Sequence, residues 1–396
     1  MRKTKLKFKS IKLEKNNLLL ILLFSCLVLF LMFYRLGTLT IMLSNGEART
    51  IKFASFHYLI NHPLNLPLNL LRLIIFKIFN NSSNFIVRLP SVIFGILTII
   101  GFYYLLSLWH TFKNSLLTLV LFMTSAFLLH VTRLANYEVL YLFSMTYGLL
   151  GYGLITKYSD NKYVYYLNLF LLGLFITIPG LIWLSLLMAW LEKDLLKKVF
   201  QKLKLINKLL SIILLVIWIP LMFITSLANH NIKQWLGLPA DFPRLILMLK
   251  QFPAVGVHLL IRGPEYPTLW LGKAPLLDAF SLAMLIIGSY FYIVHYKNKR
   301  SQLIGYLLVL SIILIGLNPK NSFSLILPLA YILIAMGLTY LNFLWQKTFP
   351  KNPIARSISL LILVFCVLLA SAYNLKAYFI AWPNSPSTFI VFNKKV

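Results

Sequence analysis

Apolar runs of roughly twenty residues recur along almost the whole chain, and each is long enough to cross the hydrocarbon layer of a membrane as a helix. Inside that layer backbone N–H and C=O groups have no water to bind, so a spanning segment is a helix or part of a closed barrel. Hydrophobic residues make up 60% of the 396 positions, more than a soluble core requires. The expected fold class is an all-α polytopic membrane bundle.

The 38 Lys plus Arg residues face nine Asp plus Glu, a formal net charge of +29. The bases are scattered through the short connections between apolar runs, where they fix membrane orientation, so no nucleic-acid partner is expected. Cys26 and Cys366 each lie within an apolar run and read as packing residues, not as a disulfide or metal site. The first run, "NNLLLILLFSCLVLFLMFY", follows a basic head, but it exceeds a signal-peptide core and lacks a small-residue cleavage pattern. It reads as a retained helix.

The head "MRKTKLKFKSIKLEK" is expected to hold the N-terminus in the cytoplasm. The runs then place helices at about 17–35, 86–108, 115–131 and 138–156. The stretch 163–191 is too long for one upright helix, yet both flanks look cytoplasmic. A broken hairpin of two half-helices meeting at "TIPG", through Pro179 and Gly180, reconciles these facts. Further helices fall at about 209–227, 274–295, 302–317, 322–342 and 357–374. The expectation is eleven transmembrane helices in the cell membrane, N-terminus inside and C-terminus outside, forming a single domain over 1–396. Outer loops cover 36–85 and 228–273, with no separate soluble domain.

The rare acids sort by side. Glu14, Asp160, Glu192 and Asp194 fall inside, where the lysine excess makes ion pairing the simple account. Glu47, Glu138, Asp241 and Glu265 fall outside, and Asp278 lies just inside a helix. Asp241 and Glu265 read as solvated loop residues. Glu47 and Glu138 stand where a helix meets the outer face, the place at which a pocket between helices opens to water.

The first loop carries "TIKFASFHYLINHPLNLPLNLLRLIIFKIF" from 50 to 79. Two short amphipathic helices lying on the membrane would bury its apolar faces and turn Lys52, His57, Arg72 and Lys77 toward headgroups, making a shelf over the cavity mouth. His57 and His62 are five apart, a poor spacing for zinc on one helical face. A divalent ion held by carboxylate oxygen, water and a phosphate suits the composition better. Arg133 and Glu138, in "TRLANYEVLY", read either as a headgroup-pairing arginine and a helix-start glutamate, or as a carboxylate sharing a pocket with Glu47. The outer bases Arg49, Lys52, Arg88, Arg133, Arg244, Arg262 and Lys273 are candidates for phosphate contacts.

These stretches together resemble the integral-membrane glycosyltransferases that use polyprenyl-phosphate sugars, a GT-C-fold group, and within it the protein O-mannosyltransferase and lipid A aminoarabinose transferase branch. "SNGEART" stands at the place of that family's first-loop "DE" motif, with Glu47 on its glutamate. "INHPLNLPLNLL" is similar to the "HPP" segment, "NFIVRLPSVIFGIL" to the "RLPS" start of a helix, and "LLGLFITIPGL" to "GLALLTKGP". "SFSLILPLAYI" and "YFIAWPNSPSTFIVF" resemble late elements of the family. Gly46 stands where the family usually has an aspartate, Glu138 replaces another, and Ile178 replaces a lysine associated with the donor.

The resemblance implies sugar transfer from a polyprenyl-phosphate donor to a hydroxyl acceptor on a lipid, glycan or protein, outside the cytoplasm, usually with a divalent cation such as Mg or Mn. The acceptor hydroxyl needs a base and the leaving phosphate a cation. Glu47 is assigned as base, Glu138 as metal or acceptor-orienting partner, and Arg133 as a phosphate contact. His57, His62 and the outer bases complete the substrate side. Two rivals are a polyprenyl-lipid-binding relative without turnover, suggested by Gly46 and Ile178, and a polytopic transporter, suggested by the broken hairpin.

Overall fold

The computed structural model describes residues 15–392 except 159–160, 203–207, 210–211, 214–216, 229–230, 240, 243–244, 265–267, 269, 271 and 319–322. Every regular element among the described residues is helical. The chain runs through α1 (Lys15–Phe33), α2 (Asn45–Arg49), a 3₁₀ turn (Thr50–Ala54), α3 (Phe56–Asn61) and α4 (Leu66–Phe79). Next come α5 (Asn84–Trp109), α6 (Phe112–Thr124), α7 (Ala126–Arg133), α8 (Glu138–Lys157), α9 (Lys162–Ile176) and α10 (Leu181–Lys202). Beyond them lie α11 (Trp218–Ala228), α12 (Ile232–Trp235), α13 (Leu245–Leu260), α14 (Ala279–Val294), α15 (Lys299–Leu317), α16 (Ile326–Thr348), α17 (Pro353–Lys376) and α18 (Pro386–Phe392).

Five helices are long and apolar enough to cross a membrane: Asn84–Trp109, Glu138–Lys157, Lys299–Leu317, Phe323–Thr348 and Pro353–Ala381. A sixth is added if α6 and α7, bent by 59°, count as one span. The expected eleven spans are therefore corrected to five or six among the described residues. The reason is length. Lys162–Ile176 and Ala279–Val294 are apolar but have only 15 and 16 residues, short of the roughly 20 that a hydrocarbon layer asks for, while Leu22–Phe33 and Trp218–Leu227 count only the described residues. The start of the expected 209–227 helix falls partly on residues outside those described.

Two breaks shape the bundle. At Ser125 the backbone leaves the helical region (φ −53°, ψ 125°), and the run expected as one helix over 115–131 turns. Polar groups freed there find partners on α17: Thr124 Oγ1 donates to Ser371 Oγ (3.0 Å), and Ala126 N donates to Asn374 Oδ1 (3.4 Å). The second break lies between α9 and α10, where Pro179 has no N–H to offer and Gly180 takes a left-handed φ of 75°. Near the other helices α14 and α16 cross backbone to backbone: a Cβ on Gly288 would lie 1.8 Å from Leu333 O, and one on Gly337 would lie 2.1 Å from Met284 O. Only glycine admits this approach.

The first loop differs from the expected shelf. α4 buries Leu68, Asn69, Arg72, Leu73, Ile75 and Phe76 and exposes Leu70, Ile74 and Ile78. Arg72 therefore points inward and not to headgroups, because a helix puts it on one face with Asn69 and Phe76. Lys52, His57 and Lys77 are exposed, as that expectation required.

Candidate active-site cavity

The short helix α2 begins with a reciprocal cap. Ser44 Oγ accepts from Glu47 N (3.3 Å), and Glu47 Oε2 accepts from Ser44 N (3.0 Å), satisfying two donors that a helix start leaves orphaned. Glu47 Oε2 also accepts from Ser44 Oγ (3.2 Å). The same carboxylate pairs with Arg88 of α5 through Nε–Oε1 (2.8 Å) and Nη2–Oε2 (3.2 Å), and Ala135 N donates to Oε1 (3.1 Å). Glu47 is 3% exposed and Arg88 1%. Arg88 spends its remaining donors on Leu36 O (3.0 Å) and Thr40 Oγ1 (2.7 Å). One carboxylate thus fastens the first loop, the start of α5 and the second loop together.

Arg72 reaches the same second loop from α4. Its Nη1 donates to Asn69 Oδ1 (2.9 Å), its Nη2 to Ala135 O (3.2 Å), and its guanidinium lies 4.6 Å from the centre of the Tyr137 ring. Burial pulls the Arg72 guanidinium down from its ordinary value, with Tyr137 opposing. Burial likewise pushes the Tyr137 phenol up.

Against this scaffold opens a cavity of about 1360 Å³. Its wall brings together Ser44, Gly46, Glu47 and Asn65 of the first loop, 134–138 of the second, and Tyr141 and Pro179 at the break. Asn231–Gln234, Leu238, Pro239 and Asp241 follow, with Gln251, Thr268, Leu317 and Asn318. Tyr141 Oη donates to Pro179 O (3.0 Å), joining α8 to the break. Glu138, half-buried at the start of α8, accepts from Ser324 Oγ (3.1 Å) through Oε2. A Cβ on Gly46 would meet only Ser44 Oγ, at 4.0 Å.

The structure sorts the residues singled out from the sequence. Glu47 and Glu138 do line one cavity, and Asp241, read as a solvated loop acid, joins them. Arg133 does not line it. Its guanidinium is buried 5.1 Å from the centre of the Tyr378 ring and 4.8 Å from that of Phe379, and it donates to Tyr34 O. The expected phosphate contact at Arg133 is thus corrected: α7 ends just before the loop and aims this side chain into the aromatic core. Arg88 is likewise spent on Glu47. Arg49, Lys52, His57, His62 and Arg262 are exposed and lie off the cavity wall. His57 Nε2 bonds Asn61 Nδ2 (3.2 Å), and His62 stacks on Tyr58 with ring centres 4.1 Å apart. Arg244 and Glu265 lie outside the described residues.

Sequence reading missed Lys233 and Asn231 on the wall, which sit in a segment without a motif, and Asn136, which lies within "TRLANYEVLY" but was passed over for the charged residues on either side. It also missed the cap, for which "SNGE" was a legible signal: a serine followed three residues later by glutamate.

Neither a protein-family model nor a curated protein sequence matches the chain. Solved structures do. ArnT from Cupriavidus metallidurans in the apo state superposes at TM-score 0.55 and 9% identity, over 96% of this chain and 77% of that one. The same ArnT bound to undecaprenyl phosphate gives 0.51 and 10%, over 94% and 77%. The Archaeoglobus fulgidus oligosaccharyltransferase tethered to an acceptor peptide with the NVT sequon gives 0.55 and 12%, over 97% of this chain but 56% of that one. The chain thus spans little more than half of the oligosaccharyltransferase. At such identities the likeness is one of architecture: this chain is an all-α membrane bundle with the GT-C-like fold that these structures share.

Proposed function

We propose that the chain transfers a sugar from a polyprenyl-phosphate donor to a hydroxyl acceptor on a lipid, glycan or protein at the outer face of the cell membrane. The observation that carries this reading is the cavity, whose wall unites the first-loop "SNGE", the "ANYE" loop and the "TIPG" break, three stretches that resemble the family's motifs. The fold is shared with an ArnT bound to undecaprenyl phosphate, which supports a lipid phosphate as the donor's handle.

In the reaction the acceptor oxygen attacks the anomeric carbon, the bond from that carbon to the phosphate oxygen breaks, and the polyprenyl phosphate leaves with the electron pair. The acceptor proton passes to a carboxylate. The geometry favours Glu138 for this role over Glu47, because both Glu47 oxygens already accept hydrogen bonds and an ion pair from the scaffold. Glu47 is then a positioning residue that holds the "ANYE" loop where Glu138 faces the cavity.

For a Mg or Mn ion the same wall offers two carboxylates as candidate ligands. Among the described residues no three His, Cys, Asp or Glu side chains cluster, but Glu138 and Asp241 both line the cavity. A magnesium-type ion takes one or two carboxylates, with water and substrate phosphate completing its shell. When bound, it would neutralise charge on the leaving phosphate.

A second reading, lipid binding without turnover, is favoured by Gly46 at the position of the family's aspartate and by the engaged state of Glu47. One experiment separates the two: incubation of the purified protein with labelled polyprenyl-phosphate sugars and hydroxyl acceptors. Release of lipid phosphate that depends on the acceptor is expected. Tight donor binding with no release across the panel would establish the second reading.

A further inference from the structure

The cavity holds three carboxylates, Glu47, Glu138 and Asp241, and among its described lining residues a single basic side chain, Lys233. The arginines that sequence reading offered for an anion are elsewhere: Arg88 is closed onto Glu47 and Arg133 is packed on aromatic rings. Lys233 is exposed to the cavity from α12, and α12 is not a loose loop. Trp235, 3% exposed, donates its indole N–H to Ile176 O (2.7 Å), and its carbonyl accepts from Gly180 N (2.8 Å). Trp183 Nε1 donates to Leu236 O (3.0 Å), and Asn65 N closes on Thr177 O (2.9 Å). The carbonyl of Lys233 itself accepts from Leu238 N (2.8 Å). The backbone that carries Lys233 is therefore pinned to the break between α9 and α10, next to buried Ile178.

A second, independent observation lies on the "ANYE" loop. Asn136 lines the cavity, and its side-chain amide nitrogen is buried with no hydrogen-bond partner. Its orientation is fixed, because Oδ1 accepts from Glu138 N (3.2 Å), which leaves the NH₂ as the group without an acceptor. Buried donors of this kind call for an oxygen-rich partner.

We propose that Lys233 and the Asn136 amide seat the phosphate of the lipid donor. This rests on the glycosyl-transfer reading and names where its charge is met: on α12, at a residue two positions before the tryptophan that clamps that helix to the backbone break. A lysine supplies a mobile point charge with three donors, and the carboxamide adds a directional N–H.

The test is direct binding of a fluorescent polyprenyl phosphate, and separately of the matching uncharged polyprenol, to the full-length protein in phosphatidylcholine nanodiscs. The unchanged protein is expected to prefer the phosphate. Lys233→Gln should weaken phosphate binding by about tenfold or more, the scale of a lost charge-assisted hydrogen bond, and leave polyprenol binding as it was. Lys233→Arg should keep phosphate binding within about threefold, and Asn136→Ala should lose several-fold. Phosphate binding by Lys233→Gln within twofold of the unchanged protein overturns the assignment, while a retained preference for phosphate over polyprenol leaves the glycosyl-transfer reading standing. No preference for phosphate in the unchanged protein overturns both.

Discussion

Two glutamates in one cavity wall illustrate how differently a carboxylate can be used. Glu47 is buried against Arg88, so Glu47→Gln leaves a guanidinium without its counter-charge in a dry site and should cost about 3–5 kcal/mol of stability, read as a fall in the thermal unfolding midpoint. Glu138→Gln should cost only about 0.3–1 kcal/mol, the share of an acid at a helix start, and lower turnover by about 10²-fold or more. The reverse pattern, a stable Glu47→Gln protein without activity beside an active Glu138→Gln, would return the base role to Glu47. Gly46→Asp has open space to enter and should raise transfer activity if the chain is a weakened enzyme, with activity per mole of folded protein as the measurement. At this scale the sequence singled out Glu47 and Glu138 from a basic chain, and the structure puts both on one cavity wall together with Asp241. It did not reveal how firmly Glu47 is held, because Arg88 and Ala135 are 41 and 88 residues from it and only the fold brings them together.

Single elements were the most legible part. Runs of apolar residues place α8 at 138–156 from sequence against Glu138–Lys157 in the structure, and α5 at 86–108 against Asn84–Trp109. What composition could not supply was the bend at Ser125, whose freed groups are met by Ser371 and Asn374 on a helix nearly 250 residues away. The number of membrane crossings failed for a related reason, since an apolar run does not record where its helix ends, and α9 and α14 stop after 15 and 16 residues. The joint between α5 and α6 carries a pH-dependent contact. His110 Nδ1 meets Thr339 Oγ1 (3.1 Å), which also accepts from Asn114 Nδ2 (3.1 Å). Burial, helped by Arg300, pulls the His110 imidazole down to about 4. A depressed histidine contributes its full stability above its unfolded value near 6.5 and loses it as pH falls toward 4. Partial exposure limits the effect to about 1 kcal/mol. Thermal unfolding in detergent should show a lower midpoint from pH 6.5 to 4, and His110→Asn should flatten part of that slope.

At the scale of the molecule, the proposed transfer needs the cavity on the outer side. Single cysteines at Asn61 and Ser385 should react with a membrane-impermeant thiol reagent in intact cells, whereas those at Lys157, Lys198 and Lys299 should resist it. Labelling of the second set would invert the chain and move the cavity to the cytoplasm. Ala240, a further outer candidate from the sequence, lies outside the described residues. The wall of the cavity also has an order in time. Its first-loop and "ANYE" components emerge from the ribosome early, but the break between α9 and α10 is sealed only when Trp235 arrives to bond Ile176 and Gly180. Domains form as synthesis proceeds, at about 5–20 residues per second, so several seconds pass between the synthesis of Ile176–Gly180 and the arrival of Trp235. During that interval Ile176 O and Gly180 N, which Trp235 later engages, are open to lipid, water or an assisting protein, and the wall itself is complete only once Leu317 and Asn318 have followed.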